Sequence, residues 1–203
     1  MRNVTCMCET SFEADLADEV DLDAGAGGLQ DLLSGDFFSV TCPNCGTVLK
    51  PELRVRVVSA SRSLKADVLA EADRLAFYLG SLETKKGDEV LIGFAELFER
   101  ARILADKLDP EAVEIVKYYL RLKAEDSAPD NAEIQVRYHD MGNGRLNFHI
   151  LGLKQDEVAI LPVEEARYAR ILADKAKTLK TEPFARMFQG PYKSLRALDM
   201  EQD

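Results

Sequence analysis

Four cysteines in two close pairs, Cys6-Met7-Cys8 and Cys42-Pro43-Asn44-Cys45-Gly46, are the residues of this chain best suited to chemistry. Two thiolate pairs on separate turns can supply the four-sulfur tetrahedron that zinc prefers. The second pair is the more specific. A Cys-Pro-x-Cys-Gly turn folds its backbone amides toward the first sulfur, and its glycine permits a tight exit. The first pair is one residue shorter than the usual knuckle and reads as a bulge. Inert buried thiols and a redox pair are the other readings of these residues. The redox reading lacks the helix-start context that activates a thiol, and in a cytosolic setting such pairs read as ligands before disulfides. Cys6, Cys8, Cys42 and Cys45 are therefore expected to hold one structural zinc ion per chain, although iron suits the same tetrahedron. Four thiolates leave no open position for a substrate water, so the metal should brace rather than react.

The elements around the cysteines suit a β-ribbon. Phe37-Phe38-Ser39-Val40-Thr41 reads as a strand entering the second turn, and Thr47-Val48-Leu49-Lys50 as the strand leaving it. Leu53-Arg54-Val55-Arg56-Val57 continues with strict alternation, and Phe12, Ala14 and Leu16 alternate after the first pair. Residues 1–62 are thus expected to form a zinc-ribbon-like β module.

Thr5-Cys6 with Cys8, the acidic stretch from Glu13 to Asp23, Leu33-Ser34-Gly35-Asp36-Phe37-Phe38 and Thr41-Cys42-Pro43-Asn44-Cys45 together resemble the CpXC domain family. That prokaryotic family is named for two Cys-Pro-x-Cys motifs. The resemblance covers residues 1–60 clearly. Cys42 to Cys45 fits the motif as it stands, whereas the first pair lacks the proline and one spacer. It implies a metal-binding fold and leaves the activity open.

Beyond the ribbon, Ala101-Arg-Ile-Leu-Ala-Asp-Lys107 returns unchanged at 169–175. Residues 86–107 align with 154–175 without gaps at thirteen identical positions, and Arg74-Leu75-x-Phe77 meets Arg145-Leu146-x-Phe148 after a three-residue shift. The pattern predicts an α+β domain over 63–203 built from a duplicated hairpin-strand-helix unit, with copies at about 64–125 and 133–198. In the first copy, Phe94, Leu97, Phe98, Ala101, Leu104, Ala105 and Leu108 share one helical face. Asp109-Pro110 then starts a second helix over about 110–124, with Val113, Val116 and Leu120 inward. The second copy should carry a helix over 163–180 and a broken one over 182–198. Ile103 lies opposite the core face of its helix, and Ile171 repeats it. The two are expected to mark a seam between the halves, or between two chains.

Composition bounds the function. The 203 residues are 46% hydrophobic, 31% charged and carry a net charge of −10. Residues 1–50 hold nine acids against two bases, a net of −7. A phosphate backbone would be repelled there. No apolar run reaches the roughly 18 residues of a membrane span, and the amino terminus lacks a secretory core, so a cytoplasmic protein is expected. Asp21 to Gly28 satisfies neither a calcium loop nor a phosphate loop and reads as a flexible acidic loop. Ile134 to His139 and Arg145 to Ile150 flank Gly142-Asn143-Gly144 and read as a hairpin. Pairing Tyr138 with Leu146 and Val136 with Phe148 would hold His139 and His149 about 13 Å apart, too far to share a metal. No catalytic motif is present, so the chain is not expected to be an enzyme. The leading expectation is a non-catalytic zinc-binding module that contacts another protein. The alternative is a nucleic-acid- or ribosome-associated factor using the basic segments 54–65 (Arg54, Arg56) and 175–196 (Lys175, Lys177, Lys180).

Overall fold

The computed structural model describes residues 1–24, 28–154 and 157–201. It is an α+β structure of two compact units, Met1–Phe98 and Glu99–Asp203.

In the first unit, β1 (Arg2–Thr5) and β2 (Ser11–Ala14) form an antiparallel hairpin, with Val4 opposite Phe12. After β3 (Glu19–Asp21), α1 (Leu29–Ser34) ends on Gly35, whose φ of 83° is the left-handed cap that glycine adopts without penalty. A second hairpin pairs β4 (Val40–Thr41) with β5 (Val48–Leu49). Then come β6 (Val55–Ser59), β7 (Leu64–Leu69), α2 (Arg74–Tyr78), β8 (Glu89–Ile92) and α3 (Phe94–Ala105). The sheet order is β3-β6-β7-β8, antiparallel only between β6 and β7. Residues 63–98, expected in the second domain, therefore belong to the first unit, because β7 and β8 extend the sheet that holds β3 and β6. The strand expected over 37–41 shrinks to Val40–Thr41. A strand would point Phe37 and Phe38 to opposite faces. Instead both are buried in a turn, stacked at 4.5 Å and edge-on to Phe94.

Asp23, in the acidic loop, accepts hydrogen bonds from the Ser61 amide and the Ser59 and Ser61 hydroxyls and pairs with Arg62. The serine donors, with Arg62, hold its carboxyl down at about 2. The loop's centre, Gly25 to Gly27, lies outside the described residues.

The second unit begins within α3 and continues with α4 (Pro110–Glu125), β9 (Gln135–Gly142), β10 (Arg145–Leu151), β11 (Ala159–Glu164), α5 (Glu165–Thr178) and α6 (Phe184–Met187). Its sheet is antiparallel throughout, in the order β11-β10-β9. Val113, Val116 and Leu120 of α4 pack with Tyr138, Phe148 and Ile150, while Ile115 on another face of α4 meets Phe184 and Met187. Asp109 caps α4 as expected, accepting from the Ala112 amide at 2.9 Å, and also takes a bond from Lys175. Asp109→Ala is expected to lower stability by roughly 1 kcal/mol from the lost cap, measured as a shift in the urea midpoint.

Ile103 is 1% exposed and sits in this core, with Ile171 half-buried against it. Ile103 is therefore no surface for another chain. The expected duplication would match β6, β7, β8 and α3 with β9, β10, β11 and α5, but α2 lies between β7 and β8 and has no counterpart between β10 and β11 among the described residues. The strand directions differ as well: β8 runs parallel to β7, whereas β11 is antiparallel to β10. Arg74 to Phe77 lies in α2 and Arg145 to Phe148 in β10, so that part of the alignment has no structural counterpart. In the first copy, Gly93 at φ 81° ends the strand and turns it into α3. Its counterpart is Leu161, where β11 runs straight on to Glu164 and α5 starts later.

The hairpin register also differs from the expected one. Asn143 and Gly144 both have positive φ, 53° and 71°, and form a two-residue turn with Gly142 opposite Arg145. That register alone would set Tyr138 opposite a polar-face residue. A bulge at His139 restores the match of Tyr138 with Phe148 and Val136 with Ile150.

Candidate metal centre

Each cysteine pair occupies the turn of one small hairpin, and the two turns are built alike. In the second, the Cys42 amide donates to the Thr47 carbonyl at 2.9 Å, and the Gly46 amide returns to the Cys42 carbonyl at 3.0 Å. In the first, the Cys6 amide donates to the Thr10 carbonyl at 2.9 Å, and the Glu9 amide returns to the Cys6 carbonyl at 2.8 Å. Gly46 at φ 72° and Glu9 at φ 67° make the same left-handed exit. The shortened first pair thus makes the same turn with one residue deleted, and Glu9 accepts the backbone conformation that glycine takes in the other.

The turns bring the sulfurs together. Cys6 Sγ lies 3.6 Å from Cys45 Sγ, and Cys8 Sγ lies 3.7 Å from Cys42 Sγ. All four ligand atoms fall within 4.8 Å of one another. A tetrahedral ion with metal–sulfur bonds of about 2.3 Å needs sulfur–sulfur edges of about 3.8 Å. The four cysteines therefore fit a single metal ion. The first cysteine of each pair, Cys6 or Cys42, is buried, and the second, Cys8 or Cys45, is exposed.

The surroundings favour thiolate at the exposed members. Thr10 lies 3.4 Å from Cys8 Sγ, and Asn44 Nδ2 donates to the same sulfur at 3.7 Å. The Thr10 hydroxyl and amide, then Asn44, pull the Cys8 thiol down to about 5. Thr47, 3.2 Å from Cys45 Sγ, lowers Cys45 in the same way. The amide of Cys8 favours the Cys6 thiolate, but burial and the three neighbouring sulfurs outweigh it and push Cys6 up to about 12. Four clustered sulfurs without a cation resist sharing four negative charges, and a divalent cation at their centre removes that conflict. Sequence reading missed Thr10, Thr47, Asn44 and Glu9. Thr10 and Thr47 did leave a signal, a threonine two places after the second cysteine of each pair.

Residues 4–117, more than half of the chain, match the CpXC protein family. The chain belongs to the CpXC family. A relative of this CpXC chain is an uncharacterized protein of Treponema pallidum (strain Nichols), 27% identical over 219 residues covering 97% of each chain. No solved structure matches this CpXC chain.

Of the other residues singled out from sequence, Arg54 and Arg56 lie in the first unit and Lys175, Lys177 and Lys180 in the second. Arg54 makes a bidentate pair with Asp67 at 2.9 and 2.6 Å, and Arg56 pairs with Asp88 and Glu19. Those carboxylates raise both guanidinium pKa values. Lys175 pairs with Asp109 and Glu111, while Lys177 and Lys180 are exposed. Among the described residues, no helix of the CpXC chain is long and apolar enough to cross a membrane.

Proposed function

We propose that this CpXC chain is a non-catalytic protein whose four cysteines hold one structural zinc ion, and which presents its braced fold to another protein. The observation that carries the reading is the pair of matched turns, which bring the four sulfurs within 4.8 Å of one another, two of the edges at 3.6 and 3.7 Å. A donor set of four thiolates is complete for zinc and leaves no coordination site for a reacting water. Four free cysteines suit a reducing compartment, in keeping with a cytoplasmic location. A protein partner is favoured over nucleic acid because Arg54, Arg56 and Lys175 are already held by carboxylates. Redirecting them to phosphate would break those pairs. Exposed apolar side chains are available instead, among them Ile160 on β11 at 61% exposure.

Elemental analysis of the purified chain is expected to give about one zinc per molecule. Ile160→Asp should keep that zinc and lose a partner captured from native extract at both low and high salt. RNA or DNA capture that disappears with salt, or on neutralising Lys177 and Lys180, would instead support the nucleic-acid reading.

A further inference from the structure

Charged side chains on one face of the first unit's four-stranded sheet line a cleft of about 460 Å3, within the roughly 300–1,000 Å3 usual for small-ligand sites. The register sets Glu19, Arg56 and Asp67 in one row across β3, β6 and β7, since Glu19 is opposite Arg56 and Arg56 opposite Asp67. Neighbouring strands lie about 4.8 Å apart, so the row spans about 10 Å from Glu19 to Asp67. Its two ends differ in what they leave unspent.

At the β7 end, Asp67 is buried and already held. It pairs with Arg54 at 2.9 and 2.6 Å and accepts from the Lys85 amide at 2.9 Å. Arg54 commits Nε and Nη2 to Asp67 and to the Glu83 carbonyl, and its Nη1 makes no hydrogen bond among the described residues. Lys85 is exposed, and its ammonium makes neither a hydrogen bond nor an ion pair among the described residues. At the β3 end the surplus is acidic. Arg2 holds one oxygen of Asp18 at 3.0 and 2.5 Å, and Arg56 holds one oxygen of Glu19 at 2.6 Å. The second oxygen of each carboxylate makes no hydrogen bond among the described residues. Arg56, between the ends, is engaged by Glu19 and Asp88.

We propose that this cleft binds a short peptide with free ends, about three residues long, its carboxylate at Lys85 and Arg54 Nη1 and its ammonium at Asp18 and Glu19. Three extended residues span roughly 10 Å, which matches the row. Such a ligand takes the N–H groups and oxygens that the fold leaves over, so the Arg54–Asp67 and Arg56–Asp88 pairs stay intact. A plain anion would satisfy the Lys85 end and be repelled by the acidic one, whereas a zwitterion complements both. The site lies within the first unit, draws on no cysteine and depends on neither the zinc nor the protein-partner reading.

The test is an amide NMR titration of the full-length protein as purified with triglycine. Triglycinamide, which lacks the carboxylate, acetyl-triglycine, which lacks the ammonium, and inorganic phosphate are titrated beside it. Amides at 18–19, 54–56 and 85 are expected to shift together and to saturate with one triglycine per chain. Triglycinamide should bind about tenfold more weakly, having lost two charged hydrogen bonds. Acetyl-triglycine should bind about threefold more weakly, the smaller loss because the Asp18 side chain is 92% exposed. Lys85→Met removes an ammonium that the fold does not use, and should weaken triglycine about threefold while leaving triglycinamide unchanged. The proposal is overturned if those amides do not move, or if phosphate or either blocked peptide binds as tightly as triglycine. Unchanged triglycine binding in Lys85→Met would overturn it too.

Discussion

Cys42→Ser is expected to abolish zinc binding and to unfold the two hairpins β1-β2 and β4-β5. Cys42 is 1% exposed, and its sulfur forms one 3.7 Å edge of the cluster. The hairpins are short, with two residues in each of β4 and β5, too little to hold together by pairing alone. Structural zinc supplies about 10–16 kcal/mol of apparent binding energy in small modules, and much of it is folding energy. Losing one of four ligands should therefore cost more than a typical core substitution of about 1–3 kcal/mol. The expected readout is zinc content near zero and rapid protease cleavage within residues 1–50. Zinc retained at the parent level with unchanged protease resistance would contradict it.

Lys117→Met should produce the largest loss of stability in the second unit. Lys117 is 5% exposed and lies 3.0 Å from Glu99 and 2.8 Å from Glu114, both buried. Glu99 also accepts from the Tyr138 amide, and Glu114 from the Leu195 amide at 2.7 Å. The triad thus ties α3 and α4 to Tyr138 of β9 and to Leu195. Removing the ammonium strands two carboxylates away from water, which costs about 3–5 kcal/mol. Glu99→Gln with Glu114→Gln in the same chain keeps both acceptor oxygens without their charge, and should recover most of the loss. Burial already raises the Glu99 carboxyl, and loss of Lys117 removes the charge that opposes this. A carboxyl raised in the folded state binds more protons there than in the unfolded state. The single variant should therefore regain stability as pH falls toward the ordinary carboxylate range and lose it as pH rises. Urea midpoints across pH for parent, single and triple variants measure both effects.

The cysteines were legible because metal ligation leaves a spacing in the chain, and the Asp109-Pro110 helix start because capping is local. What sequence could not display was decided by tertiary pairing. Phe37 and Phe38 alternate acceptably into a strand, yet the pocket beside Phe94 takes both rings. Ile103 falls off the stripe of its own helix, yet it is buried in the core that holds Val113, Tyr138 and Phe148. The repeated Asp-Glu-Val and Ala-Arg-Ile-Leu-Ala-Asp-Lys segments are real in sequence, while Gly93 in one copy and Leu161 in the other send the chain along different paths. The histidines, whose ring centroids lie 4.0 Å apart, were misplaced by the Asn143-Gly144 turn and one bulged residue. A register shift of one residue exchanges the two faces of a strand, and no composition records it. The basic segments looked free because their acidic partners, Asp67, Asp88 and Asp109, are distant in sequence.

X-ray absorption at the zinc edge of the purified full-length protein tests the central claim most directly. The account predicts a single shell of four sulfur neighbours at about 2.3 Å, with no nitrogen or oxygen neighbour. A shell of mixed sulfur with oxygen or nitrogen, or a chain that carries no metal at those sulfurs, would contradict a closed structural site.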